Sequence, residues 1–250
     1  MRNFFKLSVI AVSALLLTNV YGNEHKGTHW GYSGEIGPSN WGKLDKKFHM
    51  CSEGKVQSPI DVKATKDVDL APLDIKYTKG SKNIVNNGHA VQVNMQDGNK
   101  FIIDGKEYDL KQFHFHTPSE NHINGKSFPM EAHFVHATKD GNLAVIAVVF
   151  KEGDANPAFE KIVKSFPIGE NKEKELALSK DDVNSILPSN KDYYKFMGSL
   201  TTPPCSENVK WFVIKTPQNV SKEQIEAMQK EIGKKNNRPI QPSNGREILE

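Results

Sequence analysis

Gln112-Phe113-His114-Phe115-His116 is the stretch that decides how this chain folds. Successive side chains on a β-strand point to opposite faces, so His114 and His116 share one face while Phe113 and Phe115 bury the other. The run Glu131-Ala132-His133-Phe134-Val135-His136 repeats the pattern. It offers a third imidazole, His133, with Glu131 two residues earlier on the same face, and turns His136 to the opposite one. Three neutral imidazoles and one open position are the donor set of a catalytic zinc rather than of a closed structural site. A lone His-x-His between phenylalanines also describes a half-buried strand with a wetted face. Of nine histidines, however, His114, His116, His122, His133 and His136 all fall between 114 and 136. Polar side chains at that density on apolar strands need partners, and a metal serves several at once.

Working outward, strand character covers 84–85, 90–95, 100–103, 111–116, 131–137, 143–150 and 210–214. The polar turns Asp97-Gly98-Asn99 and Asp140-Gly141-Asn142 predict hairpins and hence antiparallel pairing. Asn156-Pro157 opens a short helix through Ser165, with proline at the first helical position. Ser221 and Gln224 form a capping box ahead of the stripe Ile225, Met228, Ile232, which Gly233 ends. The class is mainly β (α+β), a large antiparallel or mixed sheet with helices at its periphery.

The 250 residues are 37% hydrophobic and 25% charged, an ordinary globular composition, and no linker-like tract divides them, so a single domain is expected. The formal net charge is +3, with lysines interleaved among acids, which excludes nucleic acid as the natural partner. The run Glu170-Asn171-Lys172-Glu173-Lys174-Glu175 reads as a solvated surface loop or a helix start. Arg2 and Lys6 precede an apolar stretch from Leu7 to Leu17, and Val20-Tyr21-Gly22 supplies small residues for cleavage. This is the build of a signal peptide over 1–22, with the folded domain over 23–250. The apolar stretch is too short for a comfortable membrane span, and no membrane anchor is expected. The location implied is outside the cytoplasm, periplasmic or secreted. Cys51 and Cys205 lie too far apart for a CxxC motif. In an oxidising compartment they pair; two separate buried thiols are the alternative.

These residues resemble the α-class carbonic anhydrases in their exported bacterial form. The resemblance runs from His29-Trp30-Gly31-Tyr32 through Gln57-Ser58-Pro59-Ile60, Asn86-Asn87-Gly88-His89-Ala90 and the two histidine strands. It continues through Ser199-Leu200-Thr201-Thr202-Pro203-Pro204 to Asn237-Arg238-Pro239. It implies one domain around a twisted, mostly antiparallel sheet, with one Zn2+ at the base of a conical cleft. The implied ligands are His114, His116 and His133, the three already selected by strand geometry. The implied activity is the reversible hydration of carbon dioxide to bicarbonate and a proton, by attack of zinc hydroxide.

The resemblance also implies the surrounding roles. Gln112 and Glu131 accept hydrogen bonds from ligand imidazoles. Thr201 orients the hydroxide and donates to Glu120. Val135, Val145, Leu200, Thr202 and Trp211 form the carbon dioxide pocket. His89 is the proton shuttle, with Tyr32, Asn87 and Gln92 ordering the water between it and the metal. Cys51 and Cys205 match the disulfide of exported members, bracing the Thr201 loop. Sulfonamides and anions are the implied inhibitors, and a homodimer is the implied assembly. Thr117-Pro118-Ser119-Glu120-Asn121-His122 departs from the animal enzymes, which carry an aromatic residue and a longer connection there. The rival readings are a non-catalytic periplasmic zinc-binding module on the same fold and a zinc esterase. Retention of the three histidines with Thr201, Glu120 and His89 argues against the first, and a narrow pocket against the second.

Overall fold

The computed structural model describes residues 28–250. The expected signal segment lies outside the described residues. Among the described residues thirteen strands carry the fold. They are β1 (Asp61–Val62), β2 (Asp74–Lys76), β3 (Ser81–Asn86), β4 (Val91–Met95), β5 (Lys100–Ile103), β6 (Lys106–His116) and β7 (His122–Ile123). Then follow β8 (Met130–Ala137), β9 (Leu143–Glu152), β10 (Glu173–Glu175), β11 (Tyr193–Ser199), β12 (Glu207–Ile214) and β13 (Gln218–Val220). The α-helices among the described residues are α1 (Trp41–Leu44), α2 (Met50–Glu53), α3 (Pro157–Lys164), α4 (Lys180–Ile186) and α5 (Lys222–Ile232).

One open sheet dominates, in the order β10-β3-β4-β6-β8-β9-β12-β11. Its centre is antiparallel, but β12 and β13 both run parallel to β9, so the sheet is mixed. Strand β9 shows why this order is stable. Ile146, Val148 and Phe150 enter the larger apolar cluster, while Val145 and Ala147 enter a second one with Phe196, Trp211 and Val213. A strand buried on both faces reads as a continuous apolar run, and Leu143 to Phe150 is one. On the first face Phe113, Phe115, Phe134 and Phe159 are fully buried, each contributing roughly 1.5–3 kcal/mol of transfer free energy. His114, His116 and His133 share the other face.

The hairpin expected at Asp140-Gly141-Asn142 forms, joining β8 to β9 with Ala137 opposite Leu143. The one expected at Asp97-Gly98-Asn99 does not. Both β4 and β5 pair with β6, Gln92 opposite His114 and Lys100 opposite Asp109, so they lie end to end along one strand. The side chain of Asn99 explains the difference. It is fully buried, its Oδ1 accepts from the backbone N–H groups of Thr78 and Lys79 at 2.8 Å each, and its Nδ2 donates to the Gln96 carbonyl. The turn is thereby spent on an interruption rather than a reversal.

The capped helices form where the sequence places them. Asn156 Oδ1 accepts from the N–H groups of Ala158 and Phe159 at the start of α3, and the Ser221–Gln224 box opens α5, which Gly233 closes at φ 73°. The unforeseen α4 has its own capping box, Ser179 with Asp182. The acidic-basic run Glu170–Glu175 is neither loop nor helix throughout: Glu173–Glu175 is β10, an exposed edge strand paired with β3. Alternating charge suits an edge strand because it blunts pairing with other chains.

Candidate functional site

Strands β4, β6 and β8 set the floor of the site. His114 stands opposite His133, and His116 opposite Glu131, in the β6–β8 ladder. The three ring ligating atoms lie within 4.8 Å of one another; His116 and His133 are buried and His114 is partly open. Each ring is tied by the nitrogen that faces away. His114 Nδ1 meets Gln112 Oε1 at 2.8 Å, His116 Nδ1 meets the Asn236 carbonyl at 2.7 Å, and His133 Nε2 meets Glu131 Oε1 at 3.0 Å. A donor proton at each of those positions leaves the remaining nitrogens as bare acceptors directed inward. His116 Nε2 is a buried atom without a hydrogen-bond partner. Burial holds all three imidazoles below the usual histidine range, His114 and His133 well below it. Neutral rings with converging lone pairs fit a divalent metal.

Glu131 is itself held. Its Oε2 accepts from the backbone N–H of Glu120 at 2.7 Å and of Asn121 at 2.8 Å, and its Oε1 accepts from Asn121 Nδ2 at 2.7 Å. Burial raises its pKa, while these donors favour the charged form. Glu120 lies just above, fully buried, its Oε1 accepting from the Arg238 N–H at 2.7 Å. Its Oε2 stands 3.5 Å from His116 Nε2 and 3.9 Å from His133 Nδ1, with no hydrogen bond of full geometry. Burial pushes the Glu120 carboxyl up to about 8, against a pull from the Arg238 N–H and the nearby Thr201 side chain.

Thr201, buried, sits on the loop after β11. That loop is braced from three sides. Ser199 Oγ accepts from the Ser58 N–H at 2.8 Å, Gln57 Nε2 donates to the Cys205 carbonyl at 3.0 Å, and Trp211 Nε1 donates to the Ser199 carbonyl at 3.0 Å. A Cys51–Cys205 disulfide then joins the loop to α2. Trp211 stands edge-on to the His133 ring at 4.9 Å between centroids. Val145 pairs with both Val135 and Trp211 across neighbouring strands, and Leu200 packs on the same cluster. An apolar wall therefore adjoins the histidines. Thr202, next in the chain to Thr201, is half-buried.

His89 lies in the turn between β3 and β4. Asn87 Oδ1 accepts from the N–H groups of His89 and Ala90, an Asx turn closed around Gly88 at φ 80°. The His89 ring stacks on Trp30 at 3.7 Å with only 5° between planes. There burial, with Lys234 and His29 adding to it, holds the imidazole down at about 4. The ring thus sits below the near-neutral titration expected of a shuttle, because the fold buries it beside Trp30. Tyr32 Oη is buried and unpartnered, its pKa raised by burial and by Glu120. Asn87 Nδ2 donates to Gln92 Oε1 at 3.5 Å.

Three supporting residues escaped the sequence reading. Asn236, fully buried, also donates through Nδ2 to the His89 and Phe115 carbonyls, linking two separate parts of the site. Asn121 orients Glu131. Arg238, in the quoted Asn237-Arg238-Pro239 block, donates to Gln57 Oε1, Ser58 O and Cys51 O and lies over the Trp41 ring. The available signal was chemical: polar residues in those blocks, if buried, must have partners. His136 belongs elsewhere, on the opposite face, between Tyr77 Oη at 2.7 Å and the Ala144 carbonyl.

Comparison with known proteins agrees with this geometry. Residues 36–250 match the family described as eukaryotic-type carbonic anhydrase. A carbonic anhydrase of Pectobacterium carotovorum is 44% identical over 221 residues, 88% of this chain and 90% of its own. The α-carbonic anhydrase of Thermovibrio ammonificans, solved in complex with the inhibitor sulfanilamide, superposes with a TM-score of 0.86 at 47% identity, covering 90% of this chain and all of that one. The α-carbonic anhydrase of Photobacterium profundum gives 0.83 at 48%, covering 89% of this chain and all of that one. The α-carbonic anhydrases are zinc enzymes, and the three-histidine cluster fits such a site. The chain belongs to the eukaryotic-type, or α-class, carbonic anhydrase family and is an enzyme of that family.

Proposed function

We propose that this protein interconverts carbon dioxide and water with bicarbonate and a proton, using one zinc ion held by His114 Nε2, His116 Nε2 and His133 Nδ1. The observation that carries this reading is the tethering of each ring by its outward nitrogen, which leaves those three atoms converging. When bound there, zinc would lower the pKa of a coordinated water to about 7, supplying a nucleophile at neutral pH.

The chain's own residues do the rest. With Glu120 in its ionised form, which the Arg238 N–H and Thr201 favour against burial, Thr201 donates its hydroxyl proton to Oε2, the acceptor left without a full partner, and so turns its oxygen toward the centre as an acceptor. That choice of proton direction selects nucleophiles carrying a hydrogen. Val135, Val145, Leu200 and Trp211 offer carbon dioxide an apolar surface beside the histidines, with Thr202 at its rim. His89 receives the released proton through water ordered by Tyr32, Asn87 and Gln92. Burial, with Lys234 and His29 nearby, disfavours its charged form in the stacked position, so the ring carries protons by moving from that stack toward solvent. A primary sulfonamide would meet the same Thr201 acceptor. The disulfide suits an oxidising compartment, which supports export through the segment 1–22 to the periplasm or beyond. No helix among the described residues is long and apolar enough to cross a membrane.

Stopped-flow measurement of carbon dioxide hydration, on zinc-loaded and chelator-stripped protein, tests the reading. Activity that needs zinc and yields to a primary sulfonamide is expected. Equal activity in stripped protein would overturn it.

A further inference from the structure

A single line of side-chain amides crosses the sheet from its exposed edge to the cleft. Asn83 Nδ2 donates to Glu173 Oε2 at 2.6 Å, and Asn83 Oδ1 accepts from Asn94 Nδ2 at 2.7 Å. Asn94 Oδ1 accepts from Gln92 Nε2 at 2.7 Å, and Gln92 Oε1 accepts from Asn87 Nδ2 at 3.5 Å. Every amide donates toward Glu173 and accepts from the cleft side. The strands explain the alignment: Gln92 and Asn94 share one face of β4, Asn83 pairs with Asn94, and Glu173 lies diagonal to Asn83 on β10.

The direction of this line is decided at its two ends. Asn87 Oδ1 faces two backbone N–H donors, so its Nδ2 can only donate onward. At the other end a carboxylate can only accept. Both demands agree, and each intermediate amide has one orientation that satisfies both neighbours. A donor in place of Glu173 removes the acceptor that fixes this direction and, facing Asn83, would set donor against donor. The break would fall at the longest link, 3.5 Å between Asn87 and Gln92, once the inner amides had turned over. Gln92 would then face the cleft with N–H groups instead of its carbonyl, beside His114 and the His89 turn.

We propose that Glu173, on the exposed edge of the sheet, is a positioning residue that sets the hydrogen-bonding polarity of Gln92 and Asn87, and through them the water path to His89. This rests on His89 as the proton shuttle. Glu173→Lys reverses the terminal group on an exposed strand, whereas Glu173→Gln keeps an acceptor available to Asn83.

The test uses the zinc-loaded enzyme. Side-chain amide NMR should show shifted Gln92 and Asn87 resonances in Glu173→Lys and near-native ones in Glu173→Gln. In weak buffer, kcat of Glu173→Lys should fall about threefold, kcat/KM should hold within about twofold, and Glu173→Gln should match the parent. In a His89→Ala background Glu173→Lys should cost nothing further. Unchanged amide resonances, equal losses in both variants, or an undiminished loss without His89 would each overturn the proposal. If His89→Ala alone leaves kcat intact in weak buffer, the shuttle reading fails and the kinetic role with it, while the resonances still report whether the amide line exists.

Discussion

Glu131 Oε1 and His133 Nε2, two residues apart on one strand, meet at 3.0 Å. That contact decides which nitrogen of His133 is left for a metal. Strand β8 places both side chains on one face, and Asn121 with the Glu120 N–H keeps the carboxylate oriented. The ring is thus oriented by its own strand. Glu131→Gln keeps the volume but removes the charge, so zinc affinity should fall roughly 10–100-fold while the fold persists. Competition against a chelator of known affinity measures this; unchanged affinity would deny Glu131 its role.

His133→Ala and His136→Ala separate ligation from packing. The first should lose zinc on dialysis. The second should retain it but lose about 2–4 kcal/mol of stability, because it opens a cavity and strands the Tyr77 hydroxyl. Metal content by atomic absorption and urea denaturation report the two effects independently. Zinc retained at full stoichiometry in His133→Ala would sink the ligand assignment.

His89→Ala and Thr201→Ala should divide the catalytic cycle. Without His89, kcat in weak buffer should drop by roughly tenfold or more, with kcat/KM nearly unchanged and imidazole buffer restoring much of the rate. Thr201→Ala should instead lower kcat/KM by about 100-fold, since the nucleophile loses its orienting acceptor. Identical profiles for the two variants would show that His89 does not act in proton export.

Acid stability should carry the mark of His136. Burial holds this imidazole down to about 3, whereas in the unfolded chain it titrates near the usual 6.5. Its folded pKa is the lower one, so the unfolded state binds the extra proton between those values. The contribution is full above about pH 6.5 and is lost as pH falls toward 3, at roughly 1.4 kcal/mol per unit. His136→Gln, which can still bond Tyr77 Oη, should flatten the acid limb of stability against pH. An unchanged slope would place the acid sensitivity elsewhere.

Reduction of Cys51–Cys205 should lower stability by about 2–5 kcal/mol, and unreduced protein should show no free thiol when denatured. Because the bridge joins α2 to the loop carrying Thr201, kcat/KM of the reduced protein should decline before global unfolding. Two titratable thiols in unreduced protein would contradict the pairing.

The alternation of imidazole and phenyl groups was legible at once, because side-chain direction on a strand follows from spacing of two alone. It assigned His114, His116 and His133 to one face and His136 to the other, and capping chemistry marked α3 and α5 equally locally. The hairpin at Asp97-Gly98-Asn99 was misread because its outcome depends on where the Asn99 side chain bonds, with Thr78 and Lys79 some twenty residues away. Asn236 and Arg238 were invisible for the same reason: their partners are His116, Glu120, Gln57 and Cys51, more than a hundred residues distant in the chain. Local rules determine which way a side chain points along its own strand. Which nitrogen of a histidine is free, how far burial takes the His89 pKa down, and which edge carboxylate an amide line reaches depend on groups that only the tertiary fold brings together, where buried polar atoms need partners.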